Sequence, residues 1–342
     1  MTTSEIDRAE ALAEAVKSVW RAVMPAAPFD PDMTWQDAGV DSLKGMEIAL
    51  RIERETGTPV PFDLMTPDVT IGELIRLLAE PRAADPPGAP VFLVPGAYGD
   101  GPGLADFRAV VADRATIKVL PLPDIDTPAS ALARLEVTAA GVAADIARLQ
   151  PTGEVRLIGY SHGAFVAQEA ARQLEAAGRT VGFLCVIDGG ARAKRPQADP
   201  AMEKARAAAP SLRRRLDLVL HRVLCRIGAW EIARRRTLAI DRPEDWYWRE
   251  TARRILLMRV CGFSVLRRPL RGCAAPTLLI MSEDFDRRRW LPVWRSACPD
   301  LEAVSTPGGH VTIFERPRLH DLVARVLEGL DWAASRPEPE AG

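Results

Sequence analysis

The residues Gly159-Tyr160-Ser161-His162-Gly163 follow a short apolar run, Val155, Leu157 and Ile158, and precede Ala164 to Leu174 at helical spacing. A serine between glycines at a strand-to-helix turn is suited to nucleophilic chemistry. The tight turn exposes its hydroxyl, and the first free helix N–H groups face the reacting carbonyl. Gly159 and Gly163 remove side chains that would collide as strand and helix close over the turn. A serine hydroxyl is a weak nucleophile at neutral pH and needs a base, itself oriented by a buried acid. Four histidines are present. His162 adjoins the serine, but an elbow of this kind turns that side chain away from the hydroxyl. His221 lies in a basic helical segment and His320 in a late helix, and both are expected to be solvated.

The chain of 342 residues is comfortable for two unequal domains. Hydrophobic residues make up 47% and charged residues 27%, which are globular values, and no apolar run approaches the length of a membrane span. Met1-Thr2-Thr3-Ser4-Glu5 lacks the regions of a signal peptide. A soluble cytoplasmic protein is expected, and the start fits either an enzyme working in trans or an excised terminal fragment. Cys185, Cys225, Cys261, Cys273 and Cys298 are odd in number and lack Cys-x-x-Cys spacing, so buried thiols are expected. The net charge of -1 hides an asymmetry: residues 1–80 hold 15 Asp and Glu against 7 Lys and Arg, and the remainder holds 31 against 38. The two parts are electrostatically complementary.

Taken in order, Leu12, Val16, Val19 and Trp20, with Ala11 and Ala15, recur at helical intervals between Ile6 and Val23, and Pro25 and Pro28 end that helix. A second helix opens at Asp41-Ser42-Leu43 and runs to about Glu55, and a third spans Thr70 to Leu78. On the second, Met46 and Leu50 share the face of Ser42, whereas Ile48 and Ile52 form a stripe suited to the core. Gly39-Val40-Asp41-Ser42-Leu43, its preceding loop and the Pro59 to Leu78 continuation resemble an acyl or peptidyl carrier domain. The resemblance implies a small all-α bundle over residues 1–80 in which Ser42 carries 4′-phosphopantetheine, with a phosphopantetheinyl transferase and upstream synthase or synthetase modules as partners.

Residues 81–90 are rich in proline and small residues and read as a linker. Beyond it, Val91 to Val94, Ile117 to Leu120, Val155 to Ile158, Val181 to Ile187 and Thr277 to Met281 read as buried strands alternating with helical segments such as Pro128 to Leu149. That alternation predicts a mostly parallel sheet with helices on both faces. From Gly159 to Asp188 the order of elbow, Ala-Arg-Gln-Leu-Glu helix, Gly178-Arg179 and a strand ending in Ile187-Asp188-Gly189 resembles the type I thioesterases. These are α/β-hydrolase domains that release chains from polyketide synthases and nonribosomal peptide synthetases.

That resemblance implies an α/β-hydrolase domain over residues 91–332 with a helical lid at about 191–272. It implies Ser161 as nucleophile and His310, which follows Ser305-Thr306-Pro307-Gly308-Gly309, as base. The acid is Asp188 by the type I pattern, and Asp284 occupies the position used elsewhere in the superfamily. The oxyanion donors implied are the N–H groups of Ala97 and His162. Leu216, Leu220, Val223, Leu224, Ile227 and Trp230 are expected to line or cover an acyl channel, and the lid arginines to form a solvated face. Residues 333–342 are expected to be disordered. The expected function is release of an acyl or peptidyl thioester by hydrolysis or cyclisation. An editing thioesterase and a carrier scaffold with an inactive hydrolase domain are the alternatives. No metal-site spacing is present, and neither nucleic acid nor membrane is an expected partner.

Overall fold

Apolar residues at three- and four-residue intervals give the first part of the chain its helices, and the burial follows the stripes. The structure, a computed structural model, describes all residues except 1, 2, 26, 36, 39, 41, 57–59, 61–68, 80–88, 100, 101, 192–211, 241–244, 267–269 and 337–342. The chain divides into two units, Met1–Asp85 and Pro86–Gly342. Most of the segment expected to link them lies outside the described residues.

The first unit holds α1 (Thr3–Val23), α2 (Ser42–Thr56) and α3 (Ile71–Ala79). Leu12, Val16, Val19 and Trp20 of α1 pack against Ile48 and Ile52 of α2 and Ile71, Leu74 and Leu78 of α3, while Ala11 is exposed. The Trp20 indole donates to Ala27 O at 3.1 Å and lies 6.0 Å from the Trp35 ring, so one residue ties α1 to the loop that follows it. Thr70 caps α3, its hydroxyl accepting from Glu73 N at 3.1 Å. The side chains of Ser42, Met46 and Leu50, expected to share a face, lie outside the described residues.

The second unit is built on a six-stranded, wholly parallel sheet in the order β2-β1-β3-β4-β5-β6. The strands are β1 (Val91–Val94), β2 (Ile117–Val119), β3 (Val155–Tyr160), β4 (Val181–Ile187), β5 (Thr277–Met281) and β6 (Leu301–Ser305). Both faces are covered, which is why the central strands read as continuous apolar runs. On one face Leu157, Leu184, Val186 and Leu279 pack against α6 (Leu135–Leu149), α7 (His162–Ala176) and α11 (Arg287–Ala297). On the other, Ile158, Phe183, Cys185 and Ile280 pack against α4 (Pro102–Val111) and α12 (Arg318–Ala334). The chain runs outward from β1 to β2 and then returns to β3 on the other side of β1. Parallel α/β sheets bind ligands where the strand order reverses in this way, beyond the carboxyl ends of the strands.

Several expectations are corrected. The segment Pro128 to Leu149 is two helices, α5 (Ala129–Leu132) and α6, because the chain turns at Ala133 and Arg134. The edge strand β6 was not expected. Its side chains are only partly buried, so it lacks the apolar run that marks the central strands. Helix α12 continues through Ala334, and Arg336 pairs with Asp300 at 2.7 Å, so the ordered chain extends past the expected start of the tail at 333. Residues 337–342 lie outside the described residues.

The lid segment contains α8 (Leu212–Arg226), α9 (Trp230–Leu238) and α10 (Trp246–Leu266). They close on a small apolar cluster of Cys225, Ala233, Leu256, Leu257 and Val260 together with Ile125 and Leu132. His221 belongs to this interior and is not solvated: it is 0% exposed, and its Nε2 lies 2.8 Å from Ala252 O. Burial lowers its pKa. Leu224 and Trp230 pack against the cluster, but among the described residues Leu216, Leu220, Val223 and Ile227 face solvent, Ile227 at 70% exposure. Lid arginines mostly pair with lid carboxylates, Arg214 with Asp245, Arg236 with Asp217 and Arg234 with Glu231, or are exposed. All five cysteines are free thiols: four are buried, and Cys261 is half-buried. Among the described residues no helix is long and apolar enough to cross a membrane.

Truncating Trp20 to Ala removes the largest side chain at the centre of the first unit and should cost about 3–5 kcal/mol. That is most of the margin available to a unit of this size. NMR of the Trp20→Ala chain should show collapsed amide dispersion for residues 3–79 and native dispersion for the second unit.

Candidate active site

The carboxyl ends of β1, β3, β4, β5 and β6 each deliver one piece of the site. Ser161 follows β3 with φ 56° and ψ −118°, and its N–H donates to Ile187 O at 2.9 Å, so the turn is fastened to β4. A non-glycine residue with positive φ is strained, and strain of this kind persists only where the surroundings over-determine it. The surroundings here are glycines. A Cβ on Gly163 would lie 2.1 Å from Pro95 O and 2.3 Å from Val94 O, and one on Gly159 would lie 2.5 Å from Ala164 Cα. The two glycines allow α7 to start directly against the backbone that leaves β1.

Asp188 follows β4, also at positive φ (53°), with its N–H on Ile280 O at 2.8 Å. The next peptide is held by Trp294, whose indole donates to Gly189 O at 2.6 Å. The Asp188 side chain is completely buried. Its Oδ1 accepts from Ser282 N at 3.1 Å, and its Oδ2 from the Ser282 hydroxyl at 2.7 Å. A buried carboxylate without such donors would be costly, and these donors supply its partners.

His310 lies beyond β6 and bridges the other two. Its Nε2 is 2.9 Å from Ser161 Oγ, and its Nδ1 is 2.5 Å from Asp188 Oδ2. Serine hydroxyl, imidazole and carboxylate therefore form one connected line, drawn from three strand ends. Asp284, the alternative acid, is near the same histidine but reaches a different atom: its Oδ2 accepts from the His310 backbone N–H at 2.9 Å.

Sequence reasoning missed two side chains. Tyr160, the residue before the serine, donates its hydroxyl to His310 O at 2.9 Å, and its ring stacks on the imidazole at 5.0 Å and 24°. Burial, and then the Asp188 charge, raise its pKa, so it remains a hydroxyl donor. Ser282 holds Asp188 as described. Neither role had a signal in the sequence, since both contacts join residues far apart in the chain.

The remaining expected residues are placed as follows. His162 opens α7, so its N–H is one of the four N-terminal amides without an intrahelical acceptor. Burial pushes the His162 ring down to about 4 and leaves it neutral. Ala97 lies in the turn after β1, closed by Gly99 N–H on Gly96 O at 2.9 Å, and Gly96 approaches the Ser161 side chain. Tyr98 of that turn lies under the Arg254 guanidinium of α10, 5.5 Å from the ring centroid. Among the described residues no group of three or more His, Cys, Asp or Glu is placed to hold a metal ion.

Residues 89–224 match the thioesterase domain family, and residues 12–78 match the phosphopantetheine attachment site family. The chain joins a phosphopantetheine carrier domain to a thioesterase domain. Of the solved structures, a four-domain holo nonribosomal peptide synthetase bound to AMP and glycine is 19% identical, with a TM-score of 0.52. The match covers 94% of this chain, which spans about a quarter (26%) of that one. The NocB thioesterase domain, in covalent complex with a fluorophosphonate nocardicin G analogue, is 22% identical over 71% of this chain and 95% of that one, with a TM-score of 0.48. The RedJ thioesterase of the prodiginine pathway in Streptomyces coelicolor is 21% identical over 74% and 92%, with a TM-score of 0.45. At these identities the likeness is one of fold. No curated protein sequence matches the chain. The sheet and its covering helices match the thioesterase α/β-hydrolase fold.

The carrier domain is the site of covalent 4′-phosphopantetheine attachment. Ser42 is the first residue of α2, and no acidic residue occupies the first turn of that helix. A phosphodiester at this position would meet the free N–H groups of the helix start, with Asp41 the one acidic residue beside it in sequence, so the helix start fits the group.

His162, half-buried and with its ring held neutral, makes stability depend on pH with a definite sign. Its pKa is about 4 when folded and 6.5 ordinarily. Between these values the unfolded chain holds the proton and the folded chain does not. The stability it lends is complete above about pH 6.5 and is lost as the pH falls toward about 4. Urea denaturation across that interval should show a shallower loss of stability in His162→Gln than in wild type.

Proposed function

We propose that the thioesterase domain takes an acyl or peptidyl chain from a phosphopantetheine thioester onto Ser161 and releases it by hydrolysis or cyclisation. The observation that carries this reading is the continuous line Ser161 Oγ, His310 Nε2, His310 Nδ1, Asp188 Oδ2 at 2.9 and 2.5 Å. Phosphopantetheine, attached at Ser42 by a phosphopantetheinyl transferase, supplies the thiol on which the chain is carried, and upstream assembly-line modules supply the chain.

The residues then act in sequence. Ser161 Oγ attacks the thioester carbonyl as His310 Nε2 takes its proton, and buried Asp188 stabilises the imidazolium through Nδ1–H. The N–H groups of His162 and Ala97 hold the oxyanion. Collapse of the tetrahedral intermediate breaks the C–S bond, and His310 returns the proton to the leaving sulfur. In the second half His310 deprotonates water, or a hydroxyl or amine of the bound chain, and the same steps reverse to free Ser161. An inactive-scaffold reading has no support from this geometry, because the three groups are already at hydrogen-bonding distance.

The test is intact-protein mass spectrometry after an acyl-phosphopantetheine has been loaded enzymatically onto the full chain, with Ser42→Ala as the loading control. Wild type should gain the acyl mass and lose it. Ser161→Ala should retain it, with release slowed by about a thousandfold or more. Equal release by the two proteins refutes the Ser161 assignment, and loading of Ser42→Ala refutes the attachment site.

A further inference from the structure

A triad base on a loop has a positional problem that its carboxylate partner alone does not solve. His310 lies between β6 and the short 3-10 turn Thr312–Phe314, outside any regular element. Asp188 fixes one ring atom, but the ring pivots about that point unless the backbone beneath it is also fixed.

The structure supplies that restraint on both sides of the residue. The His310 N–H is held by Asp284 Oδ2 at 2.9 Å, and the His310 carbonyl by the Tyr160 hydroxyl at 2.9 Å. The ring is further stacked on Tyr160, which is braced edge-on by Phe314 at 4.9 Å and 81°. Upstream, Glu283 and Gly308 exchange two hydrogen bonds, Glu283 N–H to Gly308 O at 2.9 Å and Gly308 N–H to Glu283 Oε1 at 3.0 Å. The three consecutive residues Ser282, Glu283 and Asp284 therefore hold the acid, the loop and the base in turn.

We propose that Tyr160 and Asp284 are positioning residues for His310, clamping the peptide of the base from its two sides while Asp188 holds the ring. Tyr160 is adjacent to Ser161, so the hydroxyl that fixes the base is carried by the same strand end as the nucleophile. A displacement of β3 then moves both reacting groups together, and the 2.9 Å separation is preserved. Asp284 keeps the position of a triad acid yet acts on the backbone.

This inference rests on His310 being the base, and the experiment separates the two. The full chain and its Tyr160→Phe, Asp284→Ala, Asp284→Asn and His310→Ala variants are assayed on an acyl thioester. Rates are expressed per active site titrated with a fluorophosphonate. His310→Ala retaining wild-type kcat would remove the base assignment itself. With that assignment intact, Tyr160→Phe keeps the ring and loses only the hydroxyl. Its kcat should fall about tenfold, the loss expected of one hydrogen bond, while KM stays within about twofold. Asp284→Ala should behave in the same way. Asp284→Asn, whose amide oxygen still accepts from the His310 N–H, should recover most of the lost rate. The proposal is overturned if Tyr160→Phe and Asp284→Ala lose only titratable sites, with kcat per site unchanged. It is also overturned if Asp284→Asn is as slow as Asp284→Ala.

Discussion

The backbone leaving β1 and the first turn of α7 lie so close that a single methylene between them would overlap the Val94 and Pro95 carbonyl oxygens. That approach is available only because β1 and β3 are paired in parallel from Val91–Arg156 to Val94–Gly159. It brings the turn bearing Ala97 beside Ser161 and leaves the amide of His162 without a helical acceptor. The placements of Ser161 and of the proposed oxyanion donors are thus set by one contact between two strand ends, and glycine at 163 is its steric condition. The strain at Ser161, with φ at 56°, is held by the same packing and by the hydrogen bond to Ile187 O.

Asp188 and His310 are positioned by different physics. Asp188 is buried, so it depends on donors: Ser282 provides two, and His310 the third. His310 is reached by solvent and lies on a loop, so it depends on restraint of its backbone. Asp284 and Asp188 are not competing occupants of one role. One carboxylate meets the imidazole and the other the peptide of the same residue, which separates the electrostatic task from the geometric one.

What was legible in the chain was what is local. The elbow is five contiguous residues flanked by an apolar strand and a periodic helix, so its type and place could be read directly, and the carrier helices announced themselves through the Leu12–Trp20 and Ile48–Ile52 stripes. The triad positions of Asp188 and His310 came from resemblance, and here they meet. Features that failed to show depend on distant partners. Tyr160 and Ser282 have roles only because loops 150 and 94 residues away in sequence fold against them. His221 looked solvated because Arg222 and Arg226 surround it in sequence, but it shares an inward face with Cys225 one turn on, and the arginines point away. Strand β6 was silent because an edge strand with half-exposed side chains has no apolar run to display.

The lid illustrates why its arginines are a poor guide to its attachment. Its polar links to the sheet converge on the connection between β2 and α5. Arg253 reaches Asp124 at 3.1 Å, Arg234 reaches the carbonyls of Ile125 and Asp126, and Glu231 accepts from Ala129 N at 3.1 Å. Ion pairs that are partly exposed contribute about 0–1 kcal/mol each, screened further by salt. The apolar cluster beneath them is of another order, since each fully buried aliphatic side chain is worth about 1.5–3 kcal/mol. Ile125 and Leu132 enter that cluster from the same connection, against Leu256, Leu257 and Val260 of the lid. The charged contacts therefore select where the lid sits, and the buried aliphatic side chains hold it there. The contact of Arg254 with Tyr98, in the turn after β1, is exposed and worth about 0.5–1 kcal/mol, too little to share that work.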